Sequence, residues 1–361
     1  MAQMILCGEG VHREIKPLLH QLGCRKFLLV CGSSFRRLPV TAYFETLDIP
    51  YVTFNDFTPN PQYDEVCRGV EIYRANDCDT IVAVGGGSAM DVAKCIKLYA
   101  PMTDAVRYLD QPYADSGIPL IALPTTAGTG SESTRFAVIY YKGEKQSVHH
   151  DSILPDYAVL DPVVLYTLPD YQKKCTLMDA LCQAVESYWS VAATTQSREL
   201  AARAIRGIVR HWRDYIFHND AAATLEILRA SNLAGQAIHI TTTTAPHAMS
   251  YKLTTLYGLP HGHSVALCLP RVWAYMLTCA DNALLAVLGE IAAYMGVQSS
   301  EEAVALLDDM MREMGLDSPV AQRRDDEIAR LVAGVNVERL GNHPVPLSSE
   351  VLRELYRQIV R

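Results

Sequence analysis

The sequence holds no CxxC pair and no dense cysteine framework; its ten cysteines are scattered along 361 residues. That spread excludes a disulfide-stapled scaffold and suits a reducing compartment with mostly buried thiols. No apolar run approaches the roughly eighteen residues that a membrane-spanning helix needs. The opening residues, MAQMILCGEGVHREIK, lack the apolar core of a signal peptide, so the expectation is a cytoplasmic protein with no membrane partner. An excess of positive charge is missing too. The net charge of −8 argues against a nucleic-acid partner and leaves any anion site to a local cluster. There is no internal repeat and no low-complexity tract. Neither GxGxxG nor the Walker A pattern occurs, so the standard dinucleotide fingerprint does not apply.

What is present describes an ordinary globular chain, 49% hydrophobic and 20% charged, long enough for two domains. The first half alternates short apolar runs with stretches of helical length. Phe27 to Gly32, Thr80 to Ser88 and Ile118 to Thr126 are strand-like, while Gln62 to Ala75 and Ala89 to Ala100 are helical in spacing. Buried strands alternating with helices predict a parallel sheet with crossovers. From about Tyr171 long amphipathic stretches follow one another (Lys173 to Ser190, Ser197 to Ile216, Ala221 to Ile240), with no convincing strand. The expected architecture is an α/β nucleotide-binding domain over residues 1–165 and an all-α domain over 166–361. Prolines interrupt the pattern near the junction, in DPVVLYTLPD.

GGGSAMDVAK follows a buried strand and opens a helix. Gly85, Gly86 and Gly87 let the backbone approach a ligand, and the helix N-terminus at Ser88 offers N–H groups to phosphate. Ser88 could equally cap the helix, and Asp91 falls in the first turn, where the helix dipole favours negative charge. PTTAGTGSE, Pro124 to Glu132, is a second small-residue loop at a strand's C-terminal end, the edge where open α/β sheets bind ligands. Its hydroxyls could serve a nucleotide or satisfy their own turn.

The most histidine-rich stretch is APHAMSYKLTTLYGLPHGH, with His247, His261 and His263 inside seventeen residues. Helical spacing runs to Tyr257, and Gly258 and Pro260 then break it just before His261. A metal site needs neutral imidazoles from separate elements and a carboxylate to offset charge. Asp179 and Gln183 lie upstream at i and i+4, on one face of a predicted helix. The alternative is that each histidine is structural.

Taken in order, GGGSAMDVAK, PTTAGTGSE, MDALCQAVESYWS and HAMSYKLTTLYGLPHGH resemble the iron-containing (group III) alcohol dehydrogenase family, which includes glycerol dehydrogenases and is related to dehydroquinate synthases. TPNPQYDEVCRGV, DCDTIVAVGGGS and LPDYAVLDP share the likeness, which covers most of the chain. The resemblance implies an N-terminal nucleotide-binding domain, a helical C-terminal domain and one divalent metal, Fe(II) or Zn(II). Gly86, Gly87, Ser88 and Asp91 fall on the family's diphosphate and nicotinamide-side positions. Thr125, Thr126, Thr129, Thr134 and Lys145 match its other cofactor contacts. Asp179, His247 and His261 match metal-ligand positions, and Gln183 stands where iron enzymes usually carry a fourth ligand, a histidine. Tyr251 replaces a histidine that many members place near the substrate and nicotinamide.

NAD-preferring members often end the FLLVCG strand with an aspartate that holds the ribose hydroxyls. Here the position is Gly32, followed by Ser33, Ser34, Phe35, Arg36 and Arg37. Without that carboxylate a 2′-phosphate meets no repulsion, so NADP(H) is expected over NAD(H). The resemblance implies Lewis-acid polarisation of an aldehyde during hydride transfer, with Tyr251 or His263 as candidate catalytic proton carriers beside a ribose hydroxyl or water. Within the family, SYKLTTLYGLPHGH and DALCQAVESYWS look most like phosphonoacetaldehyde reductases. Arg135 and Lys252, cations inside these motifs, are the candidate substrate-binding residues for a small anionic aldehyde. Either could be an ordinary surface charge. The alternatives are another alcohol, diol or glycerol dehydrogenase on the same scaffold, or a non-catalytic nucleotide sensor. A homo-oligomer, a dimer, is expected.

Overall fold

The computed structural model describes residues 3–361, so Met1 and Ala2 of the leading segment lie outside it. The chain divides into two compact units between Leu168 and Pro169.

The first unit is built on a six-stranded parallel sheet. Its strands are β1 (Met4–Cys7), β2 (Phe27–Cys31), β3 (Tyr51–Phe54), β4 (Thr80–Gly85), β5 (Leu120–Pro124) and β8 (Tyr157–Leu160), in the order β1-β8-β5-β4-β2-β3. β2, β4 and β5 are buried along their whole length, as continuous apolar runs covered on both faces must be. The helices α1 (Ile15–Gln21), α2 (Thr41–Glu45), α3 (Tyr63–Ala75) and α4 (Gly87–Tyr99) fall between the strands. Helix α3 starts cleanly because Gln62 and Glu65 form a reciprocal capping box. A separate antiparallel hairpin, β6 (Phe136–Tyr141) and β7 (Glu144–His149), turns at Lys142-Gly143, both with positive φ. Two successive left-handed residues match the twist of a two-residue hairpin.

Because the sheet is parallel, β2, β4 and β5 all release their following loops at one edge. The register sets Cys31 beside Val84 and Gly85 beside Pro124. Gly32–Arg37, Gly86–Ser88 and Thr125–Thr134 therefore emerge from three adjacent strand ends.

The second unit is helical: α5 (Asp170–Trp189), α6 (Thr195–Arg213), α7 (Ala221–Thr241), α8 (Ala245–Tyr257), α9 (His261–Cys279), α10 (Asn282–Tyr294), α11 (Ser300–Met314), α12 (Arg324–Ala333), α13 (Val337–Leu340) and α14 (Ser349–Ile359). α6 opens on a Thr194/Ser197 capping box, and Asp220 caps α7 through the Ala223 N–H at 2.8 Å. α5 is buried around most of its circumference from Leu177 onward. Trp189, at its end, meets Trp273 of α9 edge-on with ring centroids 5.6 Å apart. α8 stops at Gly258 (φ +66), and Pro260 precedes the first residue of α9. Among the described residues no helix is long and apolar enough to cross a membrane.

Candidate active site: a metal cluster and three nucleotide loops

In the helical unit Asp179 of α5, His247 of α8 and His261 of α9 bring one ligand atom each within 4.8 Å of one another. Asp179 Oδ1 lies 3.4 Å from His247 Nε2 and 3.8 Å from His261 Nε2. The two imidazoles stand 5.2 Å apart at 66°. Chain geometry explains the convergence. His247 is in the first turn of α8 and His261 opens α9, so both rings come from helix starts placed over the middle of α5. Gly262 lets α9 seat directly on α5, since a Cβ there would overlap the Cys175 carbonyl oxygen.

Asp179, Gln183 and His247 are almost wholly buried, and Asp179 Oδ1, Gln183 Oε1 and His247 Nε2 have no hydrogen-bond partner. A buried polar atom left unpaired costs about 1–3 kcal/mol. Two histidines, a carboxylate and an amide oxygen form a donor set that suits Zn(II) or Fe(II), which would satisfy these atoms together. Burial alone would raise the Asp179 pKa, but His247, His261 and Gln183 outweigh it and hold the carboxyl below its usual range. Burial likewise disfavours a charged His247, yet Glu186 and Asp179 prevail and lift it to about 10.

Glu186 was not singled out in the sequence. It is fully buried and takes hydrogen bonds from the Thr244 N–H (2.9 Å), the Thr244 hydroxyl (3.0 Å) and the His247 N–H (3.3 Å), while its second oxygen pairs with His247 Nδ1. The signal was available: Asp179, Gln183 and Glu186 lie at i, i+4 and i+7, a polar stripe through the otherwise apolar stretch Leu177 to Glu186.

The two candidate proton carriers occupy different surroundings. Tyr251, one turn beyond His247, stacks on His261 with centroids 5.8 Å apart and planes at 8°. His263 is buried with both ring nitrogens engaged. Nε2 lies 3.0 Å from the Asp317 carbonyl, which can only accept, so Nδ1 accepts from the Tyr171 hydroxyl at 2.9 Å. Burial pulls its pKa down, consistent with a neutral ring. Lys252 is half-buried, and its stem packs against Gly334 at the end of α12.

In the first unit the glycine loop and the threonine loop interlock. A Cβ on Gly86 would meet Thr126 at 3.2 Å, and one on Gly87 would meet Thr129 at 3.0 Å. The missing side chains thus make room for threonines as well as for a ligand. The Ser88 hydroxyl donates to the Pro59 carbonyl and does not cap α4. Asp91 is committed to the Ser131 hydroxyl (2.9 Å) and the Val138 N–H (3.1 Å). Its neighbour Lys94, also unanticipated, is fully buried and donates to Ser131 Oγ (2.9 Å), Thr134 Oγ1 (3.1 Å) and the Phe136 carbonyl (2.7 Å). Burial outweighs Asp91 and Glu132 and brings its pKa down to about 8. Asp91, Lys94 and Thr134 therefore brace the loop that carries Thr125, Thr126 and Thr129.

Of the remaining candidates, Ser33, Ser34 and Arg36 are exposed beyond β2, with Gly32 half-buried at its end, and Lys145 is half-buried on β7. Arg135 makes a 2.5 Å ion pair with Asp151.

Three nucleotide-type loops on a parallel sheet, with a two-histidine, one-carboxylate cluster in the same chain, define a metal-assisted dehydrogenase class. Comparison with known proteins agrees. The profile of iron-containing alcohol dehydrogenases matches residues 2–162, and that of the Fe-containing alcohol dehydrogenase family, C-terminal, matches 174–360. The chain belongs to the iron-containing alcohol dehydrogenase family, whose members bind NAD(P) and a divalent metal.

Long-chain-alcohol dehydrogenase 1 of Geobacillus thermodenitrificans is 29% identical over 353 residues, covering 95% of this chain and 85% of the relative. The 1,3-propanediol dehydrogenase of Citrobacter freundii is 34% identical, covering 76% of this chain and 73% of its own. Among solved structures, sulfoacetaldehyde reductase from Bifidobacterium kashiwanohense in complex with NAD+ superposes with a TM-score of 0.92 at 29% identity, over 99% of this chain and 96% of that one.

Proposed function

We propose that this enzyme reduces a small anionic aldehyde to its primary alcohol with NADPH, phosphonoacetaldehyde to 2-hydroxyethylphosphonate being the reaction that fits best. The observation that carries the metal-dependent reading is the convergence of Asp179, His247 and His261, with Asp179 Oδ1, Gln183 Oε1 and His247 Nε2 buried there without a hydrogen bond. When bound, the metal supplies Lewis-acid polarisation of the carbonyl and the dihydronicotinamide supplies the hydride.

The chain's own residues do the rest. Asp179, His247 and His261 hold the metal, with Gln183 offering a neutral fourth oxygen. Gly86, Gly87 and the helix start at Ser88 take the diphosphate, and Thr125, Thr126 and Thr129 line the neighbouring loop. Tyr251, held flat against His261, delivers a proton from its hydroxyl to the product oxygen. His263 serves as scaffold, because both of its nitrogens are already used.

The likeness to a sulfoacetaldehyde reductase supports an anionic two-carbon aldehyde, since a sulfonate and a phosphonate differ in charge more than in shape. Arg135 and Lys252 are the cations proposed to meet that group. For the cofactor, the support is Gly32 with Ser33, Ser34 and Arg36 exposed beyond it, where no carboxylate opposes a 2′-phosphate. The relative's NAD+ complex is the reason to measure both cofactors. Steady-state rates of NADPH and NADH with phosphonoacetaldehyde, sulfoacetaldehyde and propanal, after metal reconstitution, test the whole reading. The highest kcat/KM is expected for NADPH with phosphonoacetaldehyde. A preference for propanal, or for NADH, overturns the corresponding part.

A further inference from the structure

We propose that Glu186 is a positioning residue that fixes both the backbone and the ring of His247, so that one buried carboxylate sets the orientation of a metal ligand. The inference rests on the metal reading above and adds to it a residue outside the donor set.

The geometry is specific. Thr244 is the N-cap of α8 yet does not cap it through its own side chain, because its hydroxyl donates to Glu186 and accepts from Trp189 Nε1 at 2.9 Å. The capping role passes to Glu186, which reaches across from α5. One oxygen takes the N–H groups of Thr244 and His247, the N-cap and third residues of the helix. The other oxygen takes His247 Nδ1. Turning the ring breaks its contact with Glu186, and the carboxylate cannot follow it without giving up the N–H groups of Thr244 and His247. With the Nδ1 proton held by Glu186, Nε2 is the nitrogen that faces Asp179 and His261 and would give its lone pair to a metal in exchange for its proton.

The approach to α8 is also over-determined. Thr242 has φ +60 and ψ −178, a conformation otherwise left to glycine. Asn342 Nδ2 holds it there, donating to the Thr241 carbonyl (2.7 Å), Thr242 Oγ1 (3.1 Å) and the Thr243 carbonyl (3.2 Å). Strain kept at the residue before the Thr243–Thr244 turn, and a buried charge spent on the next turn, place His247 more firmly than helix packing alone would.

The test strips wild type and Glu186→Gln of metal and titrates both with zinc against a chromophoric chelator. Circular dichroism and thermal melting check that the variant is folded. The variant is expected to bind zinc roughly 10- to 100-fold more weakly. Equal affinity in a folded variant overturns the proposal. Failure of wild type to take up zinc or iron at all removes the metal reading itself, and this inference with it. Should Glu186→Gln not fold, the zinc-loaded wild type decides by 15N NMR of its histidine rings. A proton on His247 Nδ1 supports the proposal, and one on Nε2 sinks it.

Discussion

Gly262 lies so close to the facing helix that a Cβ on it would sit 2.0 Å from the Cys175 carbonyl oxygen and 2.9 Å from Asp179 Cβ. The Cys175 carbonyl is backbone, so it cannot swing aside. In Gly262→Ala the start of α9 must move from α5 by on the order of 1 Å, and His261 moves with it away from Asp179. A displacement of that size at a reacting centre costs roughly 100-fold in rate. Metal content by mass spectrometry and kcat/KM should both fall in Gly262→Ala. A folded variant with full metal and normal turnover contradicts the proposed role of this contact.

Removing a ligand should show a hierarchy set by charge. Asp179→Ala deletes the only carboxylate of the donor set, and His261→Ala deletes a nitrogen; both are expected to lose metal and nearly all activity. Gln183→Ala removes a neutral amide and should retain measurable metal and rate. If Gln183→Ala is as empty as Asp179→Ala, the amide oxygen is an essential ligand and the hierarchy is wrong.

The proposed preference for NADPH should weaken on changing one position. A Cβ at Gly32 would meet Ser34 Oγ at 3.9 Å, ordinary van der Waals contact, so Gly32→Asp can start a side chain there without a clash. Its charge opposes a 2′-phosphate and suits ribose hydroxyls. The ratio of kcat/KM for NADPH over NADH should fall by about tenfold or more, the equivalent of roughly 1.4 kcal/mol. An unchanged ratio places the discriminating contact elsewhere.

Much of this was legible in the sequence, for physical reasons. β2, β4 and β5 announce themselves because strands covered on both faces must be continuously apolar. β1 and β3 do not: they are four-residue edge strands with partly exposed faces, and their short mixed runs resemble loops. The β6–β7 hairpin escaped notice because its turn is Lys142-Gly143, a weaker signal than Asn-Gly. Asp179, His247 and His261 could be nominated by residue type and by likeness to a family, but their convergence depends on Gly262, whose role is visible only when α5 and α9 are packed. Glu186 and Lys94 were missed because a charged residue in a helix reads as a solvated face until its burial is known. Tyr251 and His263, equally plausible on paper, lie in different surroundings: Tyr251 stacks on His261, whereas both ring nitrogens of His263 are bonded within the helical unit.

The charge proposed for the substrate offers the sharpest test, because it asks two residues to do something neither helix nor loop requires. Arg135 is half-exposed, pairs with the more exposed Asp151 and lies over the Phe136 ring at 5.9 Å; the melting temperature of Arg135→Ala is measured beside its kinetics, the exposed ion pair itself being worth at most about 1 kcal/mol. Lys252 keeps its stem against Gly334, and Lys252→Met preserves that packing while removing the ammonium. Charge-assisted hydrogen bonds to a phosphonate are worth roughly 1.5–3 kcal/mol each. Each variant should therefore lose about 10- to 100-fold in kcat/KM on phosphonoacetaldehyde, at tenfold per 1.4 kcal/mol. On propanal, which carries no anion, the same variants should work at close to the wild-type rate. Equal losses on both substrates mean that these cations support the fold or the cofactor, and the anionic-substrate assignment then loses its physical basis.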